Sequence, residues 1–257
     1  MGEKVYTGSF ARIYDDIMGA VPYDLWYNYL HELLDYYCQK PIRVLDLACG
    51  TGNMSLRFAE NGYQVSGLDR SREMLEVAQA KADDAKKQID FIQADLRDFR
   101  LAAEYDLAFS LFDSLNYILE EGDLKKVFKN VFRALKKEGL FIFDMNTLKR
   151  LMSIKPGTTM FSGENYTCFW EDIIDREKKR WQVRLKIYLD GDENRYFEEF
   201  HEETGYATGQ IVQFLNEAGF QYIDVYNAYT FDRGSDDDNR LYFVAFKDPA
   251  RVKKSQT

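Results

Sequence analysis

Residues Val44-Leu45-Asp46-Leu47-Ala48-Cys49-Gly50-Thr51-Gly52-Asn53 run from a short apolar stretch into a Gly-X-Gly turn. Such a turn at the carboxyl end of a strand, opening a helix, aims backbone amides and a helix amino terminus at one point, where a nucleotide-like ligand can sit. Glycine suits the turn because a β-carbon would hold the ligand away from the chain. Asp69 closes the run Gly67-Leu68-Asp69, 17 residues beyond Gly52. At that separation a carboxylate can accept hydrogen bonds from the hydroxyls of a bound ribose. Capping the next helix is the other task open to Asp69, and Ser71 is equally suited to it. The third glycine of the nicotinamide-dinucleotide fingerprint is missing, because the chain continues Gly52-Asn53-Met54-Ser55. There is also no Gly-X-X-X-X-Gly-Lys run to cradle phosphates.

The elements that must position these residues follow from periodicity. The runs IRVLDL, YQVSGLD, IDFIQAD, YDLAFSL and GLFIFDM read as buried strands. Helical stretches begin near Thr51, Ser71 and Gly122 between them. Leu124, Val127, Phe128, Val131 and Leu135 form one apolar helical face, with Gly139 expected as its stop. Alternation of this kind predicts a parallel sheet with right-handed crossovers. Ahead of it, Phe10, Ile13, Tyr14 and Ile17 share one helical face, and Pro22 opens a second amphipathic helix. Between residues 154 and 205 the period changes to two. Trp181, Val183, Leu185, Ile187 and Leu189 alternate with Gln182, Arg184, Lys186 and Tyr188, and Asp190-Gly191-Asp192 turns the chain into Arg195–Phe200. This predicts an antiparallel sheet over residues 151–205, inserted between a core of 1–150 and 206–250.

Composition excludes several classes. With 257 residues, 46% hydrophobic and 30% charged, the chain can bury a substantial core. A formal charge of -9 repels phosphate backbones, so nucleic acid is a disfavoured partner. Cys38, Cys49 and Cys168 are scattered without metal-ligand spacing, which suits a reduced, cytoplasmic protein with no bound metal. No apolar run approaches the roughly 20 residues that cross a bilayer.

VLDLACGTGN resembles the first motif of class I S-adenosyl-L-methionine (SAM) dependent methyltransferases, and GLDRSREML resembles the second. The likeness continues through FIQADLRDF, YDLAFSLFDSLNYI and LKKEGLFIFDMN, covering most of residues 42–147. YTGSFARIYDDIM and PYDLWYNYL are further similar to bacterial small-molecule enzymes, sugar and glycine N-methyltransferases among them. The resemblance implies an α/β fold: a doubly wound, Rossmann-like, seven-stranded sheet with an N-terminal helical segment and the inserted antiparallel β-sheet. It implies SAM as cofactor and in-line transfer of a methyl group to nitrogen or oxygen of a small metabolite. Carried over by position, Asp46, Ala48, Gly50 and Gly52 would line the methionine end, and Asp69 would bind the ribose. Asp95 and Leu96 would bracket adenine, while Leu111 and Phe112 would floor the sulfonium. Tyr14 is the candidate to close over the methionine moiety, with Tyr6 and Trp26 next.

On the acceptor side the resemblance points to Asp113, Asn116 and Tyr117, for which capping and packing are the competing roles. Tyr117 stands where some relatives carry a histidine, so a histidine base does not transfer to this chain. His31 is expected at the surface. His201, within FEEFHEETGY, is expected as an exposed strand residue, with a crevice-facing position as the alternative. The aromatic-rich insert, with Phe161, Tyr166, Phe169, Trp170, Trp181, Tyr188, Tyr196 and Phe197, would serve as a lid or as a homodimer contact. Two other functions stay open at this stage: a nicotinamide-dependent oxidoreductase, and a SAM-binding module without catalysis.

Overall fold

The five buried runs become parallel strands: β1 (Arg43–Leu47), β2 (Gln64–Asp69), β3 (Asp90–Gln93), β4 (Tyr105–Ser110) and β5 (Leu135–Asn146). The computed structural model describes residues 8–189 and 196–248, with 250, 252, 254 and 255. Tyr6, the turn Asp190-Gly191-Asp192 and Arg195 lie outside the described residues. Strands β10 (Tyr222–Asn227) and β11 (Arg240–Phe246) complete a seven-stranded sheet ordered β10-β11-β5-β4-β1-β2-β3, with β11 antiparallel to both neighbours.

Alternate residues of the central strands face opposite ways, which is why these runs are apolar throughout. Leu45, Leu47, Phe141, Phe143 and Phe243 pack with α5 (Glu121–Ala134) and α7 (Thr208–Ala218). Val44, Leu107, Phe109, Ile142 and Val244 pack with α2 (Tyr23–Tyr36) and α3 (Asn53–Glu60) on the other face. Helix α4 (Arg72–Asp84) is capped by Ser71, whose hydroxyl accepts from the Met74 amide at 3.2 Å.

Two expectations are corrected here. The α5 helix ends at Ala134, and Gly139 lies inside β5, not at a helix stop. A β-carbon on Gly139 would come within 3.0 Å of the Tyr105 carbonyl, so close strand packing explains that glycine. His31 is half-buried, not a surface residue. One ring nitrogen lies 2.8 Å from the Tyr27 carbonyl and the other 2.9 Å from the Tyr63 hydroxyl.

The short helix α6 (Leu148–Ser153) leads into a second, four-stranded antiparallel sheet of β6 (Gly157–Ser162), β7 (Tyr166–Asp175), β8 (Arg180–Leu189) and β9 (Tyr196–Thr204). Val183, Leu185 and Ile187 are buried on its inner face, as the alternation predicts. There, together with Met74 of α4, they meet Phe10 and Ala11 of α1 (Gly8–Ile17).

Candidate active site

A crevice of about 500 Å³ opens at the carboxyl ends of β1 to β4, between the main sheet, α1 and the inner face of the second sheet. Parallel sheets collect ligands at this edge because the strand-to-helix turns leave backbone donors there.

At one end the turn after β1 is built for close approach. Gly50 has φ +55°, and a β-carbon there would meet no protein atom within 4 Å, so the turn presents bare backbone to the crevice. Gly52 has φ +76° and caps α3, but it is not on the crevice wall. Its missing side chain admits Ala78, whose Cβ would otherwise be 2.9 Å away. Ala48, Phe112 and Asp113 also adopt left-handed backbone, at φ +57°, +61° and +49°. Such strain in residues with side chains gathers at functional sites, and all three line the crevice.

Asp69, at the end of β2, accepts from the Gly50 amide at 2.8 Å and the Ser71 amide at 2.9 Å, so it ties the two turns together. Burial raises its pKa above the ordinary carboxylate value. Asp46 is fully buried and held by the Ser55 hydroxyl at 2.6 Å. Burial, and after it the charge of Asp69, push its pKa up to about 7. A cation placed beside these two strand-end acids would favour their charged forms. Asp95 and Leu96 follow β3. Arg97 grips both oxygens of Asp95, at 2.8 and 2.6 Å, and holds that carboxyl below its usual range. Tyr14 and Trp26 reach the crevice from α1 and α2, and the Trp26 ring lies 5.1 Å from that of Phe112. Leu111 is buried on the wall beside Phe112.

The other end is assembled from distant segments. Arg240 of β11 donates to Asp144 of β5, and at 3.0 Å to Asp113. Asn146 donates to Asp113 at 2.6 Å and to Glu203 of β9 at 3.5 Å. Two carboxylates thus share one guanidinium, and Asn146 links Asp113 of that pair to Glu203. Burial raises Asp144 to about 6, and burial with the charge of Asp113 holds Glu203 well above the ordinary range. Asn116 is fully buried behind the wall, donating to the carbonyls of Asn146 and Thr204 at 2.9 and 2.8 Å. It locks the turn after β4 to both sheets and does not line the crevice.

Tyr117 does line it, and its hydroxyl lies 3.3 Å from His201 Nδ1. His201 is therefore not an exposed strand residue. Its register partner is Val183, so it shares the buried inner face. Burial, and then the charge of Arg70, lower its pKa to about 4, leaving it neutral at pH 7. Trp170 and Trp181 complete the wall, both indole N–H groups donating to Asp172 Oδ1, at 3.1 and 2.9 Å. The sequence reading did not single out Glu203, Asp144, Asn146, Asp172 or Arg240. Alternation along β9 carries Glu199, His201 and Glu203 to one face, and their burial shows that this face is the inner one.

Comparison with known proteins agrees with this fold. The model of the methyltransferase-domain family matches residues 44–139. A protein of Geobacillus sp. (strain WCH70), named as a methyltransferase, is 32% identical over 243 residues, covering 93% of this chain and 98% of its own. The glycine/sarcosine N-methyltransferase of Aphanothece halophytica is 26% identical over 215 residues, with 80% and 76% covered. The crystal structure of a SAM-dependent methyltransferase from Clostridium acetobutylicum ATCC 824 superposes with a TM-score of 0.81 at 26% identity, covering 93% of this chain and 97% of that one.

Proposed function

The chain belongs to the SAM-dependent methyltransferase family, and we propose that it methylates the nitrogen of a small amine that enters the crevice carrying positive charge. It is an enzyme of that family, and its cofactor is SAM. The oxidoreductase alternative finds no support. The residues present fit the cofactor: Gly50 leaves backbone open where a β-carbon would intrude, and Asp46 and Asp69 are acids able to face an ammonium and a ribose. When bound, SAM supplies an electrophilic methyl whose C–S bond breaks with its electron pair left on sulfur.

The observation that carries the amine reading is the far wall. Asp113 and Glu203 line it while Arg240, paired with Asp113 and Asp144, lies behind it, and its indoles Trp170 and Trp181 are rings that attract cations. A protonated amine suits that wall better than an alcohol. The N-methyltransferase name carried by a relative that this chain covers over 76% of its length supports the same choice.

In this reading Tyr117, oriented by neutral His201, touches the acceptor, while Asp113 shapes the wall through Arg240 and Asn146. Glu203 takes the ammonium proton and frees the nitrogen lone pair. Burial and the charge of Asp113 raise the proton affinity of Glu203 above that of an ordinary carboxylate, which suits a group that accepts a proton. Burial between the sheets keeps water from competing.

The test is formation of S-adenosylhomocysteine with amines paired against alcohols of the same skeleton. Turnover of amines alone is expected, and turnover of alcohols alone would overturn the nitrogen assignment. Calorimetry should show SAM binding weakened about a hundredfold or more by Asp69→Ala, the scale of two lost charge-assisted hydrogen bonds. Glu203→Gln should keep SAM affinity and lose about 10²- to 10⁴-fold in kcat.

A further inference from the structure

Trp170 and Asp172 alternate along β7, and Trp181 stands on neighbouring β8, diagonal to Asp172, whose register partner is Val183. All three side chains therefore share the inner face of the second sheet, with the buried Val183. Both indole N–H groups donate to one carboxylate oxygen, Asp172 Oδ1, at 3.1 Å from Trp170 and 2.9 Å from Trp181. The two indoles line the crevice and Asp172 does not, so a ligand meets the rings and not the acid.

Satisfying two donors does not require a charge. An amide oxygen would accept both bonds, whereas a half-buried carboxylate is costly unless a cation pairs with it. Arg180 and Arg184 of β8 pair instead with Glu120, Glu202 and Glu171, and among the described residues no cation is in ion-pair contact with Asp172. The charge does have an outlet in the rings. An N–H donated to an anion pushes electron density into the indole, which deepens the negative face that attracts cations. Trp181 is also the register partner of Glu203, so a cation held at its ring is beside the residue assigned to take the ammonium proton.

We propose that Asp172 is a positioning residue for the acceptor: it fixes both indoles and makes this wall select an alkylammonium ion over an uncharged molecule of the same shape. It acts through the rings and does not touch the ligand. The assignment rests on the amine reading given above.

Choline, and the uncharged alcohol in which a tert-butyl group replaces its trimethylammonium, test this by calorimetry. The titrations use the full chain saturated with S-adenosylhomocysteine, so that no methyl can be transferred. The unaltered protein should bind choline about tenfold or more tighter than the isostere, the scale of two cation–ring contacts. Asp172→Asn keeps an oxygen for both N–H groups and removes the charge. It should cut that preference about three- to tenfold while isostere affinity stays within about twofold. A merely structural role would weaken both ligands alike. In a background of Trp170→Leu with Trp181→Leu, Asp172→Asn should change the preference by less than about twofold, because the rings that carry its effect are gone. A preference unchanged within about twofold in Asp172→Asn alone overturns the proposal, and so does an undiminished effect in the background without the indoles. If Asp172→Asn fails to fold by circular dichroism, Asp172→Ser, a smaller neutral acceptor, decides in the same titration. No preference for choline in the unaltered protein would instead remove the amine reading, and the proposal with it.

Discussion

The two ends of the crevice are made in different ways. The proposed cofactor end is a turn and two strand ends, most of it within residues 46–69, and what it offers a ligand is backbone amides and acids at fixed strand positions. The acceptor end draws Asp113, Asp144, Glu203 and Arg240 from four separated segments and depends on side chains meeting across two sheets. Local geometry protects the first, because a glycine turn after a strand forms wherever that strand forms. Nothing local protects the second. Its carboxylates stay buried together only while Arg240 and the asparagines reach them.

The largest effect should therefore follow from removing the cation of the acceptor end. Arg240→Met leaves buried carboxylates unpaired and should cost about 3–5 kcal/mol in urea unfolding. A change at the cofactor turn should cost less. Gly52→Ala places a β-carbon at φ +76° and against Ala78, so a loss of about 1–3 kcal/mol is expected from the same measurement, with SAM affinity falling alongside. Equal losses would remove the distinction between the two ends.

Smaller again, Trp170→Leu or Trp181→Leu should raise the KM for the amine about tenfold. SAM affinity should stay within about threefold by calorimetry. A matching loss of SAM affinity would mean that the indoles serve the cofactor.

The finest test is pH. Asp46 has a folded pKa of about 7, above the unfolded carboxylate value of about 3.9, so the native state holds the extra proton between them and stability falls as pH rises. His201 has a folded pKa of about 4, below the unfolded value of about 6.5, so the unfolded state holds the extra proton and stability is lost as pH falls. Relative to the unaltered protein, Asp46→Asn should tilt stability upward with pH across that window, and His201→Gln should tilt it downward. Each change is at most about 1.4 kcal/mol per pH unit, read from urea midpoints.

Much of the main sheet could be read from the chain, because buried parallel strands are uninterrupted apolar runs and their helices repeat at three and four. Gly139 was misread because a glycine after a periodic helix looks like a stop, whereas here it answers a close carbonyl on the neighbouring strand. The inner face of β8 was legible from its alternation, but that of β9 was not. Along FEEFHEET both faces carry polar residues, and only the pairing of Val183 with His201 decides which one is buried.

The amino-acid sequence by itself determined the cofactor turn, Asp69 beyond it and the order of strands and helices, since each depends on a few neighbouring residues and a fixed repeat. Tertiary structure alone decided that Glu203 and His201 face the crevice, that Arg240 meets Asp113 and Asp144, and that Asp15 holds the turn. Those contacts join residues from 36 to 127 positions apart, and where such pairs meet depends on strand register and sheet packing, which no short stretch of chain encodes.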